Sequence, residues 1–382
     1  MDLAESYRKK AVQQMPGCSR WPPVRKSDLR HMQTRYRVLV VRLGAMGDIL
    51  HALPAVTALR EAHPSWVIDW VVEPRWRALL SAPGAQARGA GRPVVDRLHF
   101  AATKQWRKAP FSSETLKGLR LLRHEMRSVG YDTVLDLQGA IRSSLLARMT
   151  GCRRRIGEAV PREKAARWLF NEKIPTTGAH IIEQDIELAM AIAADELEHT
   201  LPKLPVDPAS EAWAEQILSG GQGPVVLVNP GAGWGAKRWP IERYTEVAQA
   251  LTSRGCRVFV NFGPGEEPLA QQIAEATGGA ARPLSSSLDQ LIAFTRRIDL
   301  CIAGDTGPLH LACALGKPVV GIYGPTDPAR NGPYGVPYRV LRSPLSRRDH
   351  SRLPDTEAGL LTIEPGQVLE AVQEFLPLEA HA

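Results

Sequence analysis

Several short segments of this chain pair glycine with a carboxylate, a lysine, an imidazole or an amide, and each follows an apolar run. Gly304-Asp305-Thr306-Gly307-Pro308-Leu309-His310 follows Ile298 to Ala303 and precedes the helix-like run Leu309 to Leu315. A strand, a turn and a helix start in that order can hold an anion. The first amides of a helix lack partners, and the helix dipole adds partial positive charge there. Thr306 offers a hydroxyl, His310 can donate to a phosphate, and Gly304 and Gly307 let a ligand approach the backbone. A plain N-cap accounts for Asp305 and Thr306 equally well.

Three more glycine-bearing segments carry ionisable groups. Between Pro230 and Lys237 every residue except Trp234 is Gly or Ala, so backbone amides would be exposed beside a cation suited to phosphate. In Gly263-Pro264-Gly265-Glu266-Glu267 a carboxylate could accept from a ribose, or favour the helix dipole. Gly44-Ala45-Met46-Gly47-Asp48 ends a strand. Asp48 there is either a helix cap or a general base that removes a hydroxyl proton. The loop is neither GxxxxGK[ST] nor GxGxxG, so neither a P-loop nor a dinucleotide fingerprint is present.

Gln138-Gly139 precedes a dense cationic set: Arg142, Arg148, Arg153, Arg154, Arg155, Arg162, Lys164 and Arg167. Guanidinium groups bind carboxylates and phosphates bidentately, so this set reads as an anion-binding wall. No His, Cys and Asp cluster has metal-ligand spacing, and no GxSxG occurs.

These loops need strands to end on and helices to start. Val38–Val41, Trp66–Val72 and Thr133–Leu137 read as strands, with helices from Ile49 to His63 and from Ile141 to Met149. The grammar restarts after the Pro-rich zone Leu201 to Pro208, with strands at Pro224–Val228, Arg257–Asn261, Ile298–Ala303 and Pro318–Tyr323 and a last helix at Gln367–Phe375. The expected fold is α/β, with two doubly wound domains facing a cleft. In such sheets ligands sit beyond the carboxyl ends of strands, where every segment above falls. The domains are read as 37–205 and 206–350, after a basic lead-in at 1–36 in which Met32 could be the natural start. A C-terminal segment, 351–382, would pack its helix back on the N-terminal domain.

Length and charge fit that reading. The 382 residues are 44% apolar and carry a net charge of +8. Residues 1–37 and 140–168 each contribute +6, so the rest is slightly acidic. With no helix-turn-helix, zinc-finger or aromatic RNA-reading signature, these patches point to an anionic substrate or membrane surface before nucleic acid. No segment approaches the roughly 18 to 20 unbroken apolar residues of a membrane span. No signal-like apolar region opens the chain. Five scattered cysteines without a CxxC pair indicate a reducing, cytoplasmic setting.

Together these segments resemble the bacterial ADP-heptose:lipopolysaccharide heptosyltransferases, glycosyltransferase family nine, from about Arg37 to about Phe375. The resemblance rests on Met46 to Pro54, Asp136-Leu137-Gln138-Gly139, Ala236-Lys237-Arg238-Trp239-Pro240, Gly304 to His310 and Tyr323 to Pro328. It implies a GT-B fold of two Rossmann-like domains, inverting transfer without a metal or cofactor, and ADP-heptose as donor. It implies Asp48 and Lys237 as the catalytic residues, Asp48 as the carboxylate. Lys237, Glu266, Asp305, Thr306, Gly307 and His310 would meet the donor. Gly47, Gln138, Arg142, Arg153, Arg154 and Arg155 are assigned to the acceptor, Kdo-bearing lipid A. The expected protein is a monomer at the cytoplasmic face of the inner membrane. Gln105 to Lys108, Gln138 to Ser143 and Trp168 to Asn171 look like heptosyltransferase I, whereas the glycine-rich Gly231–Gly235 looks more like heptosyltransferase II. A non-catalytic nucleotide-sugar-binding protein is the alternative from another class.

Overall fold

A computed structural model of the protein describes residues 36–193, 195–348 and 353–377. Residues 1–35 of the lead-in, with Met32 and Cys18, lie outside them. The described chain forms two compact units that divide between Asp207 and Pro208.

The first unit runs β1 (Arg37–Val41), α1 (Met46–Ala62), β2 (Val67–Val72), β3 (Arg97–Phe100), α2 (Thr103–Lys108), α3 (Ser113–Val129), β4 (Thr133–Asp136), α4 (Ile141–Met149), β5 (Arg154–Glu158), β6 (Glu172–Ile174) and α5 (Ile181–Ala193). All pairings are parallel, in the order β3-β2-β1-β4-β5-β6. Val38 to Val41 are fully buried because helices cover both faces of such a sheet. Helix α3 shows how the sequence builds a surface helix. Leu122, Met126 and Val129 recur on one buried face, Ser112 caps the start by accepting from Thr115 N, and Gly130 ends it at φ 67°. Helix α1 is buried on nearly every side and packs against α5.

The second unit runs α6 (Pro208–Leu218), β7 (Val225–Asn229), α7 (Ile241–Ser253), β8 (Arg257–Asn261), α8 (Glu267–Ala276), β9 (Arg282–Leu284), α9 (Leu288–Thr295), β10 (Leu300–Gly304), α10 (Gly307–Ala314), β11 (Val319–Tyr323), α11 (Pro328–Asn331), β12 (Tyr338–Arg342) and α12 (Pro365–Gln373). Its sheet, β12-β11-β10-β7-β8-β9, repeats the first topology. Strand order therefore reverses between β1 and β4 in one sheet and between β7 and β10 in the other. A crevice opens at such a reversal, beyond the carboxyl ends of the two central strands. The loop after β1 leads into the first turn of α1, which holds Asp48, and the loop after β4 holds Gln138. Those after β7 and β10 hold Lys237 and Asp305.

One expectation is corrected. Helix α12, expected to pack on the N-terminal domain, is built into the second unit: Val368, Ala371 and Val372 are buried in its core with Trp239, Tyr244 and Val247. Trp239 decides this, since its buried indole N–H donates to the Ile363 carbonyl at 2.9 Å and ties the segment to the start of α7. Cys256, Cys301 and Cys313 are buried free thiols, and burial raises each above the usual thiol value.

Candidate active site

Asp48 lies in the first turn of α1. Its Oδ2 accepts from the Ala45 N–H at 2.8 Å, closing the helix start. Its Oδ1 faces the buried Arg42 guanidinium at 3.4 Å, and Arg162 Nη1 stands 4.0 Å from Oδ2. The side chain remains one-third exposed. Cap and base are therefore compatible roles: one oxygen is held by backbone while the group stays open to a substrate. Gly47 precedes it and is half-buried. Gly44 has no room for a larger residue. Its φ is +147°, and a Cβ would sit 2.6 Å from the Trp76 indole nitrogen.

Behind this loop lies Asp136, the last residue of β4 and almost fully buried. Its Oδ1 accepts from Gln138 N (2.9 Å), Gly139 N (3.0 Å) and Ser143 Oγ (3.0 Å), and its Oδ2 from Ser144 Oγ (3.0 Å). Burial pushes the carboxyl up to about 6, although those four bonds pull the other way. The carboxylate sets the turn that leads into α4. Gly139 can make it at φ 60°, while Gln138 Oε1 accepts from Leu43 N at 3.0 Å and joins the two loops. The result is an open recess of about 390 Å³ lined by Arg107, Gln138, Arg142 and Arg162 with Ile141 and Leu145. Three arginines and one acid, Glu163, border it.

In the second unit Lys237 Nζ is ion-paired with Asp305 Oδ2 and lies 3.3 Å from the Asp305 carbonyl. His310 Nε2 meets Asp305 Oδ1 at 3.0 Å. All three side chains are nearly buried, at 11% (Lys237), 7% (Asp305) and 6% (His310) exposure. Burial alone would raise the Asp305 carboxyl. The His310 hydrogen bond and the Lys237 charge outweigh it and hold the group well below the usual carboxylate range. Lys237 Nζ also stands 4.4 Å from the Trp234 ring centroid, within cation–π range. Thr306 occupies the N-cap of α10 in an extended conformation but makes no side-chain cap bond. Its hydroxyl donates to the Gly304 carbonyl at 3.2 Å instead. Gly307 is the first helical residue. Glu266 folds back to accept from Gly263 N at 2.9 Å and packs against Gly231, where a Cβ would come within 2.1 Å of its Oε2.

Residues 119–359 match the model of glycosyltransferase family 9 (heptosyltransferase). The chain belongs to glycosyltransferase family 9. It is 30% identical over 313 residues to lipopolysaccharide heptosyltransferase 1 of Escherichia coli K12, covering 81% of this chain and 94% of that one. It is 31% identical over 304 residues to the Pseudomonas aeruginosa PAO1 protein of the same name, covering 78% and 81%. The structure of E. coli heptosyltransferase WaaC with ADP-2-deoxy-2-fluoro heptose superposes with a TM-score of 0.70 at 27% identity, covering 88% of this chain and 99% of that one. The protein is thus a family 9 glycosyltransferase with the expected GT-B architecture.

This family 9 chain places its expected residues unevenly. Asp48, Gly47, Gln138 and Arg142 gather at the carboxyl edge of the first sheet; Lys237, Asp305, Thr306, Gly307 and His310 gather at that of the second, with Glu266 beside Gly231. Arg153, Arg154 and Arg155 are a correction. Arg154 pairs in register with Thr133, the first residue of β4, so it lies at the opposite end of the sheet from Gln138. Its guanidinium is spent on Glu172 (3.0 Å), the Tyr36 hydroxyl (3.1 Å) and the Ala191 carbonyl (3.1 Å). Arg155 donates to the carbonyls of Leu169 (3.0 Å) and Cys152 (2.6 Å). Arg153 stands just ahead of the same strand. Arg154 and Arg155 tie β5 to its surroundings, and none of the three arginines lines the recess.

Sequence reasoning missed Arg42, Arg107, Asn229 and Asn261. Asn229 Nδ2 donates to Gly231 O (3.0 Å) and lies 3.4 Å from Thr306 Oγ1, while its Oδ1 accepts from Asn261 at 2.6 Å. A signal existed for the asparagines, since each ends an apolar strand where a buried amide would be costly without a partner.

Proposed function

We propose that the protein moves heptose from ADP-heptose to the Kdo residue of the lipopolysaccharide inner core, with inversion at the anomeric carbon. The observation that carries this reading is Lys237, held with Asp305 and His310 at the uncapped start of α10. A cation beside open helix amides is suited to a diphosphate leaving group. Lys237, Thr306, Gly307 and His310 bind that diphosphate. Asp305 and Glu266 meet the sugar and the nucleoside. Asp48 removes the proton from the acceptor hydroxyl, whose oxygen attacks the anomeric carbon as the bond to ADP breaks. Preformed positive charge at the diphosphate lowers the barrier because that is where negative charge grows. The recess of Arg107, Arg142 and Arg162 takes the carboxylates and phosphates of the acceptor. Diphosphate stabilisation rests on these protein groups, so turnover should survive a chelator.

Because lipid A is membrane-borne, the proposed site of action is the cytoplasmic surface of the inner membrane, and the proposed acting unit is a monomer. Among the described residues no helix is long and apolar enough to cross a membrane. A second reading, transfer to already heptosylated core, is favoured by the Gly231–Gly235 loop with its Trp234. Mass spectrometry of products from ADP-heptose with Kdo-bearing lipid A or heptosylated core decides between them. Failure with both acceptors, alongside intact ADP binding, would remove the proposed function.

A further inference from the structure

We propose that the N-terminal unit docks on an anionic phospholipid surface through α4, the loop at Val160 and the 3-10 turn Lys164–Leu169. This deepens the reading of a membrane-surface enzyme by naming the face that meets the lipid.

Among the described residues, this stretch carries large apolar side chains that no other element covers. Trp168 is 77% exposed and Val160 74%. Helix α4 buries Ser143, Ser144, Leu146 and Ala147 and turns Ile141, Arg142, Leu145 and Arg148 outward. Those outward positions follow helical spacing, so they form one stripe. The 3-10 turn packs along α4. The Val160 loop is tied to the same place, since Glu163 N donates to the Gly139 carbonyl at 2.9 Å. Cations interleave with the apolar groups throughout. The Arg167 guanidinium lies 5.6 Å from the Trp168 ring centroid and Lys173 Nζ 6.0 Å from it. Glu163, an acid on this stretch, accepts from the Ile141 N–H at 2.9 Å and so helps start α4.

An exposed indole and aliphatic groups among long cationic side chains match the chemistry of a bilayer interface. The apolar groups enter the acyl boundary while Lys and Arg stems extend to the phosphates. On this face Arg142, Arg148, Arg162, Lys164 and Arg167 stand against Glu163, a net charge of +4 that is complementary to an anionic surface. The face also carries the arginine-lined recess, and Arg162 stands 4.0 Å from the Asp48 carboxylate. Docking here would present the head group of a lipid-borne acceptor to the catalytic residue without lifting its acyl chains from the membrane.

The test uses the full chain and phosphatidylcholine vesicles with and without phosphatidylglycerol. Wild type should co-sediment with the anionic vesicles in a salt-sensitive way. The double variant Trp168→Ser/Val160→Ser should lose about tenfold in partitioning, and Lys164→Glu/Arg167→Glu should lose binding to the anionic vesicles selectively. The Trp168→Ser/Val160→Ser variant should turn over a de-acylated, water-soluble acceptor like wild type. Wild-type partitioning in both variants would overturn the proposal by assigning the membrane contact elsewhere, residues 1–35 included. A change in sedimentation as a dimer, with vesicle binding intact, would overturn it in favour of a second copy on this face. Absent heptose transfer with intact vesicle binding would instead count against the proposed reaction, leaving the docking face standing.

Discussion

Replacing Asp136 by Asn should make the protein more stable at neutral pH and less stable in mild acid. Burial raises this carboxyl from 3.8 to about 6, so the folded state binds its proton more tightly than the unfolded state does. Its contribution to stability is fully present below about pH 4 and is lost as pH rises through 6. The loss amounts to about 3 kcal/mol at neutral pH. Asn cannot ionise. Its Oδ1 can keep the bonds from Gln138 N, Gly139 N and Ser143 Oγ, while Nδ2 donates to Ser144 Oγ, which still has the Ala140 carbonyl at 3.0 Å. The second Nδ2 proton is left buried without a partner, at a cost of about 1 kcal/mol. The net expectation is a gain of about 2 kcal/mol at pH 7.5 and a loss of about 1 kcal/mol at pH 4. Urea unfolding of both proteins across that range measures the difference. A difference that stays constant with pH would refute the reasoning, because it would show that Asp136 does not titrate with folding.

Four further outcomes follow from the geometry. Asp48→Asn should reduce turnover by about 10² to 10⁴ while ADP affinity by calorimetry is unchanged; near-normal turnover would remove the base role. Trp234→Ala frees one side of Lys237 and should lower kcat several-fold, and Trp234→Phe, which retains a ring face, should recover most of it. Gly231→Ala would place a Cβ 2.1 Å from Glu266 Oε2, so the carboxylate must move and the donor KM should rise with kcat little changed. Arg142→Ala should raise the acceptor KM about tenfold. Arg154→Ala should leave it unaltered and cost about 1 to 3 kcal/mol of stability, since it removes the partly exposed Glu172 pair together with the bonds to the Tyr36 hydroxyl and the Ala191 carbonyl. Equal effects of the two arginine variants on acceptor KM would contradict their placement at opposite ends of the sheet.

Much of the fold is legible in the amino-acid sequence. Val38–Val41, Arg257–Asn261 and Pro318–Tyr323 are short apolar runs ending in polar or glycine residues, and each is a central or near-central parallel strand. The Ile141–Met149 helix coincides with its expected bounds because Gly139 and the pattern of buried small residues mark both its start and its inner face. Strands poor in apolar side chains are harder to read. Arg154-Arg155-Ile156-Gly157-Glu158 has one apolar side chain, and its strand state comes from pairing with β4 and β6. With no strand assigned there, Arg153, Arg154 and Arg155 look like part of an anion wall.

The sequence by itself determined the two Rossmann-like halves and the family, because apolar periodicity and glycine-bracketed turns are local signals that survive without contacts. It also singled out Asp48, Lys237 and Asp305, each of which ends a strand-turn segment. Only the tertiary structure decided which charges are free for a ligand and which are consumed. Arg154 and Arg162 are eight residues apart in the same basic run, yet parallel pairing carries one to the amino edge of the sheet and returns the other to Asp48. Charge density is readable along a chain. The end of a strand on which a charge lands is set by register, a property of two strands together.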